Sequence, residues 1–191
     1  MTANLNQLPD DLPVPQDDGA SDHLKGLNLP SLELMAINGD VVDLSKLKGR
    51  AVIYCYPMTG RPDRDLPEGW NQIPGARGCT PQSCSFRDHY QELKSLGVEV
   101  FGLSVQTSEY QQEMVQRLHL PFLVLSDENY LFQEALNLPT FIASGMTLLK
   151  RITLIVHDGV IEAVHYPIFP SDSDAPWVIQ YLKKFGINGH V

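Results

Sequence analysis

The 191-residue chain predicts an α/β fold: a central mixed β-sheet flanked by helices on both faces. Three observations carry that prediction. The run AVIYCYP, residues 51–57, is continuously apolar and β-prone and ends at a proline, as a buried central strand does. From Val98 onward, short β-prone runs alternate with segments of helical period. Two turn pairs, Asn38-Gly39 and Asp158-Gly159, sit between apolar stretches and read as hairpins.

In order along the chain, residues 1–22 are rich in Pro, Asp, Asn and Gln and have no apolar period. They read as a flexible acidic N-terminal arm ahead of one domain over 23–191. LELMAINGDVVDL forms the first, N-terminal hairpin, and 51–57 the central strand. Residues 58–78 are dense in proline and glycine and read as a loop, long enough to expect a function of it. TPQSCSFRDHYQELKSLG reads as a helix, with Thr80 as N-cap, Pro81 at the first helical position and Gly97 as the stop. Phe86, Tyr90 and Leu93 share one face of it. Strands follow at 98–105 and 122–127, with helices at 108–119 and 128–137. RITLIVHDG and VIEAVHYPI form the second hairpin, and the last helix runs from about Ala175 to Phe185.

Composition narrows the function. Hydrophobic residues make up 43% of the chain, enough for a substantial core, and no apolar run approaches the roughly 18 residues of a membrane span. The first residues lack the basic-then-apolar pattern of a signal peptide, so a cytoplasmic address is expected. A net charge of −9 without a Lys/Arg cluster argues against nucleic acid as a partner. Three cysteines in such a chain are not a disulfide framework.

Cys79 and Cys84 stand five apart at the start of the predicted helix. Unpaired N–H groups and the helix dipole favour negative charge at Cys79, and Arg77 adds a positive neighbour, so this thiol suits a thiolate nucleophile. On an intact helix five residues turn through about 140° and rise ~7.5 Å, separating the two Cα atoms by roughly 9 Å. A disulfide tolerates about 7 Å. Either the pair never bonds, or the helix start unwinds when it does; Pro81 and Ser83 are expected to make that unwinding easy. Cys55, inside the apolar run, reads as a core residue. A zinc site fits poorly, because C-x4-C is wide and no second Cys/His pair follows.

The run GCTPQSCSFRDHYQELKSLGVEVFGLSV resembles the peroxidatic helix and following strand of peroxiredoxins, most of all the Q-type, or bacterioferritin-comigratory, group. That group carries a GCT-x-x-(A/S)C-x-(F/L)RD segment. FLVLSDENYLFQEALNL and KRITLIVHDGVIEAV are similar to later segments of the same family, so the resemblance spans about Leu27 to Leu182. It implies a thioredoxin-like fold and thiol-dependent reduction of hydrogen peroxide or organic hydroperoxides. Cys79 would be the peroxidatic nucleophile, Cys84 the resolving thiol, and Arg151 the active-site arginine that stabilises charge. The family carries a proline seven residues and a threonine three residues before the nucleophile; here those positions hold Gln72 and Ala76. Pro57 and Thr59 look like the displaced pair, set apart from Cys79 by an insertion in the loop, and Thr80 is the alternative threonine. The insertion, with Trp70, is either a lid or partner surface or a plain surface loop with one anchoring aromatic.

The resemblance further implies an intramolecular Cys79–Cys84 disulfide, recycled by a thioredoxin- or glutaredoxin-like dithiol, in a monomer or homodimer that needs no metal, haem or flavin. Two other readings stay open at this level. One is a thiol–disulfide oxidoreductase, for which Leu138-Pro139-Thr140 resembles a thioredoxin loop but C-x-x-C is lacking. The other is a redox sensor without turnover.

Overall fold

The computed structural model describes residues 4–185. The chain forms β1 (Leu34–Ala36), β2 (Val41–Val42), β3 (Arg50–Cys55), α1 (Cys79–Asp88), α2 (Tyr90–Ser95), β4 (Val98–Ser104), α3 (Ser108–Leu118), β5 (Leu123–Ser126) and α4 (Leu131–Leu136). It continues through β6 (Thr140–Ala143), β7 (Met146–Leu149), β8 (Ile152–His157), β9 (Val160–His165) and α5 (Asp174–Phe185). Seven strands make one sheet in the order β2-β1-β5-β4-β3-β8-β9. The three central strands, β5, β4 and β3, are parallel, and the flanking pairs are antiparallel. This is the mixed sheet of a thioredoxin-like α/β fold.

The central strand shows why the sheet is buried on both faces. Ala51, Ile53 and Cys55 point into one apolar cluster, with α4, the loop 58–76 and the β6–β7 hairpin. Val52, Tyr54 and Tyr56 point into the other, with α1, α3 and α5. A period of two is the geometry of a strand, and side chains apolar at every position mean cover on both faces. β8 obeys the same rule: Ile152, Leu154 and Val156 join the first cluster and Ile155 the second. Continuing that parity backward places Arg151 and Thr153 on the face that α1 covers.

Both expected hairpins form, at Asn38-Gly39 and at Asp158-Gly159. A third, β6–β7, lies in a segment where the sequence predicts no strand. Ser144 and Gly145 both take positive φ, 46° and 77°, which closes a two-residue hairpin. The expected helix over 80–97 is two helices. His89 leaves helical dihedrals at φ −96° and ψ 4°, and its Nδ1 lies 2.8 Å from the acceptor Ser85 O. The fourth helix begins at Leu131 rather than 128, because the Asp127 carboxylate accepts from the Phe132 and Gln133 N–H groups and starts it there.

Residues of the arm lie against the domain. Asp18 accepts from Lys150 Nζ at 2.5 Å and from Tyr166 Oη at 2.7 Å. Farther in, Leu29 N–H donates to Gly159 O and Ile161 N–H to Leu27 O, so residues 27–29 run beside β9.

Candidate active site

α1 begins two residues earlier than the sequence predicts. Its N-cap is Gly78, not Thr80, and Cys79 is the first helical residue. Gly78 has φ 113°, and a Cβ there would lie 2.2 Å from Ser171 Oγ and 3.1 Å from Leu8 Cδ2. A glycine is therefore required on both counts. The shift moves Thr80 and Pro81 inside the first turn and leaves the Cys79 sulfur at the positive end of the helix.

Arg151 reaches this sulfur from the sheet. Its Nη2 lies 3.5 Å from Cys79 Sγ and 3.2 Å from each of the carbonyl oxygens of Gly75, Ala76 and Arg77. Its Nη1 donates to Gln82 Oε1. The side chain is 3% exposed. Three successive carbonyls at the end of the loop thus hold a guanidinium, and the guanidinium faces the thiol. Arg77, expected to add positive charge beside Cys79, is buried, and its Nη2 donates to Asn4 O at 2.5 Å. Burial pulls its pKa below the ordinary arginine value, against the attraction of Cys79.

Cys84 is half-buried on the same helix. Burial raises its pKa above the ordinary thiol value, while Arg87 and Arg117 oppose the rise. With α1 continuous from 79 to 88, both thiols are free. The helix start is tied more firmly than expected. Ser83 is fully buried, accepting from Tyr54 Oη at 3.2 Å, and Ser85 Oγ donates to Asp172 O at 2.7 Å. Phe86 stacks on Tyr54 with centroids 4.4 Å apart. Cys55 is fully buried and burial drives its pKa far up, so it is a core residue.

The displaced pair follows β3. Cys55 pairs with Ile152, so the chain leaving β3 through Tyr56 and Pro57 passes the sheet edge where Arg151 stands. Pro57 O accepts from Ser104 Oγ. Thr59 is fully buried; its N–H donates to Gln106 Oε1 at 2.8 Å and its carbonyl accepts from Tyr110 Oη. Its Oγ1 is buried without a partner among the described residues. Thr80 is buried in the first turn of α1.

Trp70 in the loop is 3% exposed and packs on Phe141, with centroids 6.1 Å apart. Beyond it, Ile73, Pro74 and Gly75 join Val14 and Pro15 of the arm, Phe141 and Tyr166 around a cavity of about 340 Å³ with Arg151 on its wall. Leu8, Leu12 and Pro13 of the arm close over Arg77, Arg151 and Ser171. Cys79 is 4% exposed. Sequence reading missed Gln82, the three carbonyls and a buried Asp174 behind Gln82. No spacing signal joins α1 to α5. Only the strand parity of β8 could have aimed Arg151 at α1. Among the described residues, no group of three or more His, Cys, Asp or Glu is placed to hold a metal ion. No helix among them is long and apolar enough to cross a membrane.

Comparison with known proteins gives the family and the fold. The redoxin family model matches residues 24–179. The chain is 34% identical to a chloroplastic peroxiredoxin Q of Sedum lineare over 84% of its own length and 78% of that protein's. Peroxiredoxin Bcp of Escherichia coli is 29% identical, over 81% of this chain and 92% of that one. Among solved structures, the peroxidoxin BcpB of Mycobacterium tuberculosis superposes with a TM-score of 0.68 at 22% identity, covering 85% of this chain and 99% of that one. A Xanthomonas campestris peroxiredoxin Q gives 0.64 at 18% identity, over 92% and 98%. A cysteine at a helix start under a buried arginine, on this sheet and within this family match, makes the chain a member of the redoxin family, a thiol peroxidase of the peroxiredoxin Q group.

Proposed function

We propose that Cys79 is the peroxidatic nucleophile and that Cys84 resolves it. The observation that carries this reading is the Arg151 Nη2 at 3.5 Å from Cys79 Sγ, at the N-terminus of α1. Both features put positive charge where a thiolate and its transition state carry negative charge. The Cys79 thiolate attacks the terminal oxygen of ROOH. The S–O bond forms as the O–O bond breaks, and the electron pair leaves on RO⁻, which takes a proton to become ROH. Cys79 is then a sulfenic acid. The Cys84 thiolate attacks its sulfur, hydroxide leaves as water, and a disulfide forms. A thioredoxin- or glutaredoxin-like dithiol reduces that disulfide by exchange and is itself oxidised.

Thr59 is the threonine assigned to bind the peroxide. Its buried, unpartnered hydroxyl, on the segment that passes Arg151, supports it over Thr80. Pro57 shapes that segment. The proposed substrate is hydrogen peroxide or an organic hydroperoxide, in a monomer or homodimer with no metal or organic cofactor. The proposed compartment is the cytoplasm; the Sedum relative is a chloroplastic protein.

The test is mass spectrometry of the three thiols before and after one equivalent of peroxide, followed by turnover with thioredoxin. Cys79→Ser is expected to abolish peroxide consumption. Cys84→Ser is expected to keep the first oxidation and lose thioredoxin-coupled turnover. A disulfide that maps to Cys55, or between two chains, overturns the resolving role. Consumption of a single equivalent despite reductant marks a sensor instead of a peroxidase.

A further inference from the structure

Asp174, the first residue of α5, is a fully buried carboxylate that the peroxide chemistry above does not use. Four elements meet at it. Its Oδ2 accepts from Gln82 Nε2 on α1 and from Thr153 Oγ1 on β8, each at 2.7 Å. Its Oδ1 lies 2.8 Å from His165 Nδ1 on β9. The His165 ring is held in turn by stacking on Trp177, 4.1 Å away and 7° from parallel.

The polarity of this chain of contacts is informative. A primary amide has a donor end and an acceptor end of nearly equal shape, so Gln82 alone has two orientations to choose between. Arg151 only donates. If Gln82 turned its NH2 toward Arg151, donor would face donor and the guanidinium would lose its Nη1 partner. The Asp174 oxygen that faces Gln82 is an acceptor, shared with the Thr153 hydroxyl. Placed on the far side of the amide, it takes the NH2 and leaves Oε1 for Arg151.

We propose that Asp174 is a positioning residue for the peroxide reaction: it orients the Gln82 amide, which holds Arg151 Nη1 and thereby keeps Nη2 at the Cys79 sulfur. The proposal rests on the reading of Cys79 and Arg151 given above. Asp174 touches neither the sulfur nor the peroxide and acts only through Arg151.

That last statement gives the test, a double-mutant cycle read on the second-order rate constant with hydrogen peroxide. Asp174→Leu is expected to lower the rate at least tenfold in the wild-type background and to add no further loss in the Arg151→Met background. Asp174→Asn keeps an acceptor oxygen for Gln82 and is expected to stay within threefold of wild type. Gln82→Leu repeats the cycle without touching α5, so a failure of Asp174→Leu to fold leaves the question open to measurement. Iodoacetamide alkylation of Cys79, mapped by mass spectrometry, reads the same positioning without peroxide chemistry. If wild type turns over no peroxide, the functional reading fails while the alkylation cycle still decides the proposal. The proposal is overturned by an Asp174→Leu rate within threefold of wild type, by a tenfold loss in Asp174→Asn, or by losses that add to Arg151→Met as independent effects would.

Discussion

Arg151 leaves the start of β8 on the face that α1 covers, and its position there is set by four acceptors and one sulfur. Removing one preorganised donor at a site of developing charge typically costs about 10²–10³ in rate. Arg151→Met is therefore expected to lower the second-order rate constant with hydrogen peroxide by about 100-fold, in stopped-flow measurement, with Cys79 still present and reduced. A rate within threefold of wild type would remove Arg151 from the mechanism. Gly78 tests the backbone of the same site. Gly78→Ala meets both a positive φ and the Ser171 side chain, and is expected to cost about 1 kcal/mol or more, or about 2–4 °C in Tm for a chain of this size. At this scale the two cysteines and the arginine were legible, because a compact motif and a family resemblance named them. Gln82 and Asp174 were not. Their meaning lies in a contact between residues 92 positions apart, and neither sits in a pattern that spacing alone marks.

At the scale of an element, the proposed cycle asks α1 to be both a pedestal for Cys79 and a segment that opens. The intact helix keeps the two thiols roughly a helical turn and a half apart, so the disulfide requires its first turns to unwind. The sequence suggested a loose helix start, from Pro81 and Ser83. That inference failed for Ser83, since burial and the Tyr54 hydroxyl convert a helix-weakening residue into an anchor. Ser83→Ala removes the anchor, worth about 1 kcal/mol, and is expected to speed the formation of the Cys79–Cys84 disulfide by up to about fivefold in a single-turnover experiment. An unchanged or slower rate would mean that opening of α1 does not limit resolution. Cys84 adds a pH dependence. Burial raises its pKa, so the folded helix holds it as the thiol; that contribution to stability is complete at low pH and is lost as pH rises through the raised value. Disulfide formation is accordingly expected to accelerate with pH from 7 upward. The helices and the first and last hairpins were readable from period and turn chemistry. The β6–β7 hairpin was not, because its turn is Ser144-Gly145 and its strands are short and partly exposed.

For the whole molecule, residues of the arm line the cavities beside Arg151. Residues 24–179 carry the family match, yet residues before them complete the walls around Arg151. Composition marked the arm as polar and without period, which says nothing about where it docks; Leu5 and Leu8 of the arm meet Gly60 and Gly78, two glycines whose missing side chains make the room. The clasp at its far end is Asp18 with Lys150 and Tyr166. Hydrogen bonds from Lys150 and Tyr166 lower the Asp18 pKa to about 2. The sign follows directly. Asp18 supports docking wherever it is ionised, so its contribution is whole above the unfolded value of 3.8 and disappears only as pH falls toward 2. Lys150, raised by the same contact, loses its contribution only at alkaline pH beyond its ordinary value. The arm should therefore stay docked between pH 5 and 9, and acid in that range should not open the site. Deleting residues 1–19 is expected to leave the sheet folded and to raise the alkylation rate of Cys79 by a bulky maleimide at least fivefold, with a smaller effect for iodoacetamide. Asp18→Ala should give part of the same increase and make the arm a faster substrate for limited proteolysis. Equal maleimide rates in the full-length and shortened chains would mean that the arm does not control access, and that Cys79 is shielded by the loop and α1 alone.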